Sequence, residues 1–279
     1  MKINVAAIQM PCEPGRADLN VGRADDLLRQ AYLSGADLAV LPEMFNTGYG
    51  LIPDYAPLGE TLEGPTLSHL RERSRAWKMD IAAGFVERDG RDLYDALAFV
   101  SPDGSVHSYR KRHLVFWERF RFRPGSAPLI VPTRFGRVGF AICADMIYRE
   151  VWRDYRDRID LAVVSAAWPD FACRHSGRKH WLLGHVGPLS AAIPGKVALD
   201  LGVPVVFSNQ SGETRTTIPI LWEHIADRFA GKSCVCDGRH GTPVSAETEE
   251  AVVVAPVTIH HAHRGVKSWR FTSPSAPVV

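Results

Sequence analysis

Ile3-Asn4-Val5-Ala6-Ala7-Ile8-Gln9 has the pattern of a buried strand, and after it Ala24, Leu27, Leu28 and Ala31 recur at the spacing of one helix face beside Asp25 and Asp26. Gly35-Ala36-Asp37 breaks that helix. Leu38-Ala39-Val40-Leu41 is a short apolar run stopped by Pro42, which cannot continue a central strand, so Glu43 sits just past a strand end. Further strands are expected over 81–85, 94–100, 106–109, 138–142, 161–165, 205–208, 233–236 and 251–257. Ser101-Pro102-Asp103-Gly104 falls between two of them with the residues a tight turn uses. Helices are expected near 66–77, 146–157 and 189–201, the last disturbed by Pro194, while 214–227 carries no recognisable pattern. Strands with helices interspersed predict an α/β layered fold. No repeat or linker divides the chain, so one domain over 1–279 is expected.

Composition narrows the function. With 46% hydrophobic and 23% charged residues the chain can bury a full core, which excludes a disordered tail or a coiled coil. Its formal charge of +2 offers no attraction for nucleic acid or an acidic membrane. The longest apolar runs, such as Ala251-Val252-Val253-Val254-Ala255, fall far short of the roughly 18 residues of a membrane helix, and the N-terminus has no secretory cleavage pattern. Cys12, Cys143, Cys173, Cys234 and Cys236 are an odd, sparse set that makes no disulfide framework. The expected compartment is the cytoplasm, where the glycosylation-type triplet Asn209-Gln210-Ser211 is a chance match.

Three residues carry candidate chemistry. Cys143 follows an expected strand and precedes an expected helix, a junction that presents a side chain at a strand's carboxyl end. Taken alone, a cysteine with apolar neighbours is ordinary packing. Glu43, beside Met44 and Phe45, is either a partly desolvated carboxylate with the raised pKa of a useful base or an ordinary capping residue. Lys111, in Tyr109-Arg110-Lys111-Arg112-His113-Leu114, reads by itself as part of a solvated basic loop. Together they form a set: a thiol, a carboxylate to take its proton, and an ammonium to lower the thiol pKa and stabilise an oxyanion.

These segments resemble the motifs of the nitrilase, or carbon-nitrogen hydrolase, superfamily, whose members use a Glu-Lys-Cys triad in that chain order. Leu41-Pro42-Glu43 is similar to the family's glutamate motif, Tyr109 to Leu114 to its lysine motif, and Gly139-Phe140-Ala141-Ile142-Cys143-Ala144-Asp145 to its cysteine motif. Glu118 with Phe122, Pro124 and Gly125 resembles the segment of a second glutamate, which would be a fourth active-site residue. Ser165-Ala166-Ala167-Trp168 resembles a strand end bordering the pocket, and Phe229 to Ser233 with Asp237 a late strand motif. The likeness runs over about 2–257, leaving a tail of about 258–279. It implies a four-layer αββα sandwich, commonly a homodimer stacked into eight layers, and catalysis without metal or organic cofactor. The chain departs from the family at Arg149-Glu150, where Pro-Glu is common, and at Ala191 to Lys196, where an Arg-Ala-x-x-Glu pattern is usual.

The resemblance further implies attack by Cys143 on an amide carbon, Glu43 as base, and an oxyanion held by Lys111 and the backbone N–H of Ala144. Ala144-Asp145 after the cysteine favours an amidase over a nitrilase, which tends to carry Trp-Glu there. The expected function is therefore hydrolysis of a non-peptide C–N bond in a small amide or N-carbamoyl compound through a cysteine thioester. That small molecule is the expected partner. Tyr49, Trp117, Tyr148, Arg149 and Trp168 are candidate pocket residues, and Arg119, Arg121 and Arg123 join Arg149 as carboxylate anchors or as solvated charges. The alternatives are nitrile hydrolysis, acyl transfer to an amine, or a catalytically silent binding member of the fold, the last opposed by retention of all four site residues. Cys234-Val235-Cys236 and His260-His261-Ala262-His263 hold zinc-type ligands, but neither has a second pair at zinc-site separation, so no metal is expected.

Overall fold

β1 (Lys2–Pro11) turns Val5 and Ala7 toward one core and Ala6 and Ile8 toward another, and all four are fully buried. A strand apolar on both faces belongs in the middle of a layered structure. The computed structural model describes residues 1–50, 52–170, 186–218, 223–241 and 243–260. In it β5 (Val106–Arg110), β4 (Asp92–Val100), β3 (Asp80–Asp89), β2 (Leu38–Val40), β1 and β14 (Ala251–Thr258) lie side by side in that order. β1, β2 and β3 are parallel, and the remaining pairs antiparallel.

A second set runs β6 (Ile130–Thr133), β7 (Gly136–Ile142), β8 (Leu161–Ala166), β9 (Val205–Ser211), β12 (Cys234–Cys236) and β13 (Pro243–Ser245). β7, β8 and β9 are its parallel centre. Met10 pairs with Gln210 and Pro11 with Ser211, so the two sets join at the ends of β1 and β9. Val5, Leu38 and Phe99 of the first sheet and Val138, Phe140 and Val163 of the second share one core between the sheets. α1 (Ala17–Leu33) and α2 (Pro65–Trp77) cover the outer face of the first sheet, and α3 (Arg149–Tyr155) and α4 (Val186–Leu201) that of the second. The result is the four-layer αββα arrangement.

α1 buries Ala24, Leu27, Leu28 and Ala31, one face at helical spacing, and truncating a buried leucine such as Leu28 to alanine costs about 2–5 kcal/mol. Its start has no side-chain cap. Instead Asn20 accepts the Glu13 N–H at 2.8 Å and donates to Glu13 O at 2.8 Å and Asn46 O at 2.9 Å, tying the helix to the segment after β2.

Several expectations need correcting. The helix expected near 146–157 is split into a 3-10 turn, Cys143–Ile147, and the short α3, because Tyr148 between them is extended at φ −92°, ψ 115°. α4 runs through Pro194, its hydrogen-bond loss offset by burial of Val197 and Ala198 against the second sheet. Within 214–227 lie two strands, β10 (Glu213–Ile218) and β11 (Glu223–Arg228), paired antiparallel from Glu213↔Arg228 to Ile218↔Glu223. β6 and β13 were also unforeseen: β6 carries Pro132, which an edge strand tolerates, and β13 is three exposed residues. Residues 171–185, 219–222 and 261–279, with His261 and His263, lie outside the described residues. Among those described, no helix is long and apolar enough to cross a membrane.

Candidate active site

The chemistry-bearing residues collect beyond the carboxyl ends of β2, β5, β7 and β8, where backbone leaves the sheets and side chains can converge. Residues 41–48 are buried throughout. Their backbone is held by Leu41 N–H on Ala82 O (2.8 Å), Phe45 N–H on Gly84 O (2.9 Å) and the Gln210 amide on Glu43 O (2.7 Å). Glu43 therefore projects from a rigid turn. Lys111 is fixed in the same way: its N–H donates to Asp95 O at 2.8 Å and its carbonyl accepts from Gly125 N–H at 2.7 Å.

The Lys111 ammonium lies 2.6 Å from Glu43 Oε1, 2.7 Å from Glu118 Oε1 and 3.1 Å from Asp95 Oδ2, and all four side chains are fully buried. Glu43 Oε2 accepts the Ala167 N–H at 2.6 Å. Glu118, in a 3-10 turn at Phe116–Phe120, accepts the Val115 N–H at 2.9 Å and the Tyr49 hydroxyl at 2.7 Å. Burial disfavours the Lys111 charge, but Glu118, Glu43 and Asp95 together outweigh burial and hold the ammonium well above its usual pKa. It is a fixed cation. Burial in turn raises the pKa of Glu118, against the pull of Lys111.

Cys143 ends the climb of β7 as the first residue of its 3-10 turn, buried and at φ +45°, a left-handed conformation that non-glycine residues rarely adopt. Its thiol feels Glu43, Lys111 and Glu118, and the Ala167 N–H that binds Glu43 also faces it. The sequence predicts that Lys111 lowers the thiol pKa. Lys111 does pull it down, but burial and the Glu43 charge outweigh that and push the thiol well up.

Asp145, two residues on, is fully buried and binds the cysteine turn to the lysine segment. It accepts Ile142 N–H at 3.2 Å, His113 N–H at 2.9 Å and the Tyr109 hydroxyl at 2.9 Å, and contacts His113 Nδ1 at 2.9 Å. Ala144 between them is buried.

Of the candidate pocket residues, Tyr49 reaches the cluster, with Lys111 Nζ 5.9 Å from its ring centre as well as Glu118 on its hydroxyl. Trp117 packs on Tyr49 and stacks on Tyr55 behind it. Trp168 is buried directly after Ala167, its N–H on Asn209 Oδ1 at 2.7 Å. Tyr148 stacks on His113 at 3.7 Å and lines a cavity of about 410 Å³ with Arg112, Leu114, Arg119 and Phe122. Arg149 is not brought to the cluster. It is exposed at the start of α3 and lines a separate cavity of about 680 Å³ between α3 and α4, with Trp152, Arg153, Arg156 and Val197. Arg123 pairs with Asp92 at 3.2 Å, Arg119 donates to Leu114 O at 2.9 Å, and Arg121 is exposed.

Three participants were not foreseen: Asp95, the Ala167 N–H and Gln210. Backbone donors leave no mark on a sequence. Asp95 left a faint one, a charge at the start of the strand run Tyr94 to Val100, on the face shared by Leu97 and Phe99. Glu43, Asp95 and Glu118 are also the one grouping of three metal-ligating side chains among the described residues, but the Lys111 ammonium sits against all three. Cys234 and Cys236 are buried with their sulfurs 3.7 Å apart on β12.

The sequence profile of the Carbon-nitrogen hydrolase family matches residues 4–262. A nitrilase of Pyrococcus abyssi is 30% identical over 263 residues, covering 92% of this chain and 90% of the relative. The human omega-amidase NIT2 is 28% identical over 268 residues, covering 91% and 88%. Among solved structures, a CN-hydrolase superfamily protein of Xanthomonas campestris with an arsenic adduct in its active site superposes with a TM-score of 0.75 at 22% identity, over 92% of this chain and 91% of that one. An amidase from Nesterenkonia sp. gives 0.74 at 20% identity, over 93% and 92%.

Proposed function

The chain belongs to the carbon-nitrogen hydrolase family, and from that premise we propose that it hydrolyses a non-peptide C–N bond of a small amide or N-carbamoyl compound through a thioester on Cys143. The observation that carries this reading is the Lys111 ammonium held 2.6 Å from Glu43 and 2.7 Å from Glu118. Both contacts are fully buried, and the Cys143 thiol at the end of β7 feels the charges of all three residues. A binding scaffold has no chemical need for a desolvated thiol, base and cation together.

Because its pKa is pushed up, the Cys143 thiol does not rest as thiolate. Its proton passes to Glu43 as the sulfur attacks the amide carbon, so charge separates only in the transition state. Lys111 and the Ala144 N–H hold the oxyanion, and losing one such donor costs about 10² to 10³ in rate. The C–N bond then breaks, Glu43 returns the proton to the departing nitrogen, and a thioester remains. Water attacks the thioester, Glu43 takes one of its protons and passes it back to the sulfur, and the acid is released. Glu118 keeps Lys111 aimed throughout and orients the water.

Support for the substrate class is divided: the omega-amidase relatives and Ala144-Asp145 favour an amide, and the nitrilase relative favours a nitrile. The test is ammonia release from a panel of small amides, N-carbamoyl amino acids and nitriles, with wild type and Cys143→Ala side by side. Release from amides or carbamoyl compounds, reduced more than about a thousandfold by the substitution, is expected. Release from nitriles alone replaces the amide reading, and release that survives Cys143→Ala overturns the mechanism.

A further inference from the structure

Asp95 is the charged side chain of the cluster that the mechanism leaves unused. Three carboxylates surround one ammonium, their oxygens within 4.8 Å of one another, and all are fully buried. If all three were ionised the site would carry two uncompensated negative charges out of water, which is strongly unfavourable.

The three carboxylates differ in the hydrogen bonds they receive. Glu43 receives Lys111 and the Ala167 N–H, and Glu118 receives Lys111, the Val115 N–H and the Tyr49 hydroxyl, donors that favour the ionised form. Neither oxygen of Asp95 accepts a hydrogen bond. Lys111 approaches Oδ2 to 3.1 Å, but off the hydrogen-bonding directions.

We propose that Asp95 stands in the site as the neutral acid, its proton directed at Glu43, and serves as a positioning residue that keeps Glu43 ionised and aimed. This rests on Glu43 being the base. The groups facing Asp95 are Glu43 after β2, Lys111 after β5, Glu118 in its 3-10 turn and the Tyr55 ring. Burial and the Glu43 charge push the Asp95 carboxyl well above the carboxylate range, with Lys111 pulling against them. The site then holds one net negative charge beside Cys143 rather than two, and the thiolate forms against less repulsion. As pH rises through the raised Asp95 value, its proton leaves, the second charge appears, and turnover falls.

Asp95→Asn is neutral at every pH and tests this without turnover. The native carboxyl keeps a proton that the unfolded chain releases above about pH 4, so wild-type stability declines as pH rises from there toward the raised native value. The expected result is a melting temperature for Asp95→Asn that gains on wild type progressively between about pH 5 and 8. If Asp95 is instead an ionised partner of Lys111, the variant melts below wild type by a gap that stays constant between about pH 5 and 8, and the proposal fails. In turnover, the alkaline limb of kcat/KM moves to higher pH in Asp95→Asn, and an unmoved limb also overturns the proposal. Asp95→Leu, which can make no hydrogen bond, loses kcat by at least about tenfold relative to Asp95→Asn. Equal kcat in the two variants contradicts the positioning role. A lack of activity on every substrate tried would count against the amidase reading alone, because the melting comparison stands without it.

Discussion

A Cβ on Gly84 would come within 2.5 Å of Glu43 Cα, 2.6 Å of Pro42 O and 2.8 Å of Ser165 Oγ, so β3 passes the base only where it has no side chain. Two of those three atoms are backbone and cannot swing away. Gly84→Ala is expected to displace Glu43 by a fraction of an ångström to an ångström and to lower kcat by about 10². The Lys111 side has a counterpart, since a Cβ on Gly125 would lie 2.1 Å from Arg110 O. Steady-state kinetics on protein with unchanged circular dichroism checks both, and a normal kcat in Gly84→Ala would show that the Glu43 position is not critical.

Tyr49→Phe removes the hydroxyl from Glu118 Oε1 and leaves that oxygen to Lys111 alone. Losing one charge-assisted hydrogen bond is worth about 1.5–3 kcal/mol, or roughly tenfold to a hundredfold, and kcat/KM is expected to fall within that range. A change confined to KM would instead mean that Tyr49 only contacts substrate.

The left-handed backbone at Cys143 predicts an order of stabilities. Glycine relieves the strain that alanine keeps, so Cys143→Gly should be more stable than Cys143→Ala by about 0.5–1 kcal/mol, the reverse of the usual ranking. Urea denaturation of the two inactive proteins measures it. An alanine variant equal to or more stable than the glycine variant contradicts strain at this residue.

His113 couples the site to pH through stability. Its hydrogen bond to Asp145 raises its pKa, against a smaller effect of burial, and Glu150 contacts the other ring nitrogen at 3.1 Å. A raised native pKa stabilises the fold fully below the unfolded value of about 6.5, and that contribution is lost as pH rises through the native value. Wild-type melting temperature should therefore drop more between mildly acidic and mildly alkaline pH than that of His113→Gln. Parallel curves for the two proteins would remove His113 from the account.

Much of the layering was legible because β1 and β2 contain short apolar runs buried on both faces and α1 buries apolar residues at helical spacing. Glu43 and Cys143 were legible as residues just past apolar runs, and the described structure brings Glu43, Lys111 and Glu118 into one buried cluster. What escaped follows from the same physics. β10 reads Glu-Thr-Arg-Thr-Thr-Ile, with no apolar run to announce a strand. The break between the cysteine turn and α3 depends on the backbone angles of Tyr148, which no side-chain periodicity encodes. Asp95 is recognisable only once three separate segments have converged on Lys111, because its meaning is a charge count over the whole cluster.

The most direct measurement is the intact mass of the protein quenched during turnover of a slowly hydrolysed small amide, followed by peptide mapping. The account predicts an added acyl mass on the peptide carrying Cys143, formed with release of the amine and lost on further incubation. Turnover without any acyl mass on Cys143, or with the adduct on another cysteine, would contradict it.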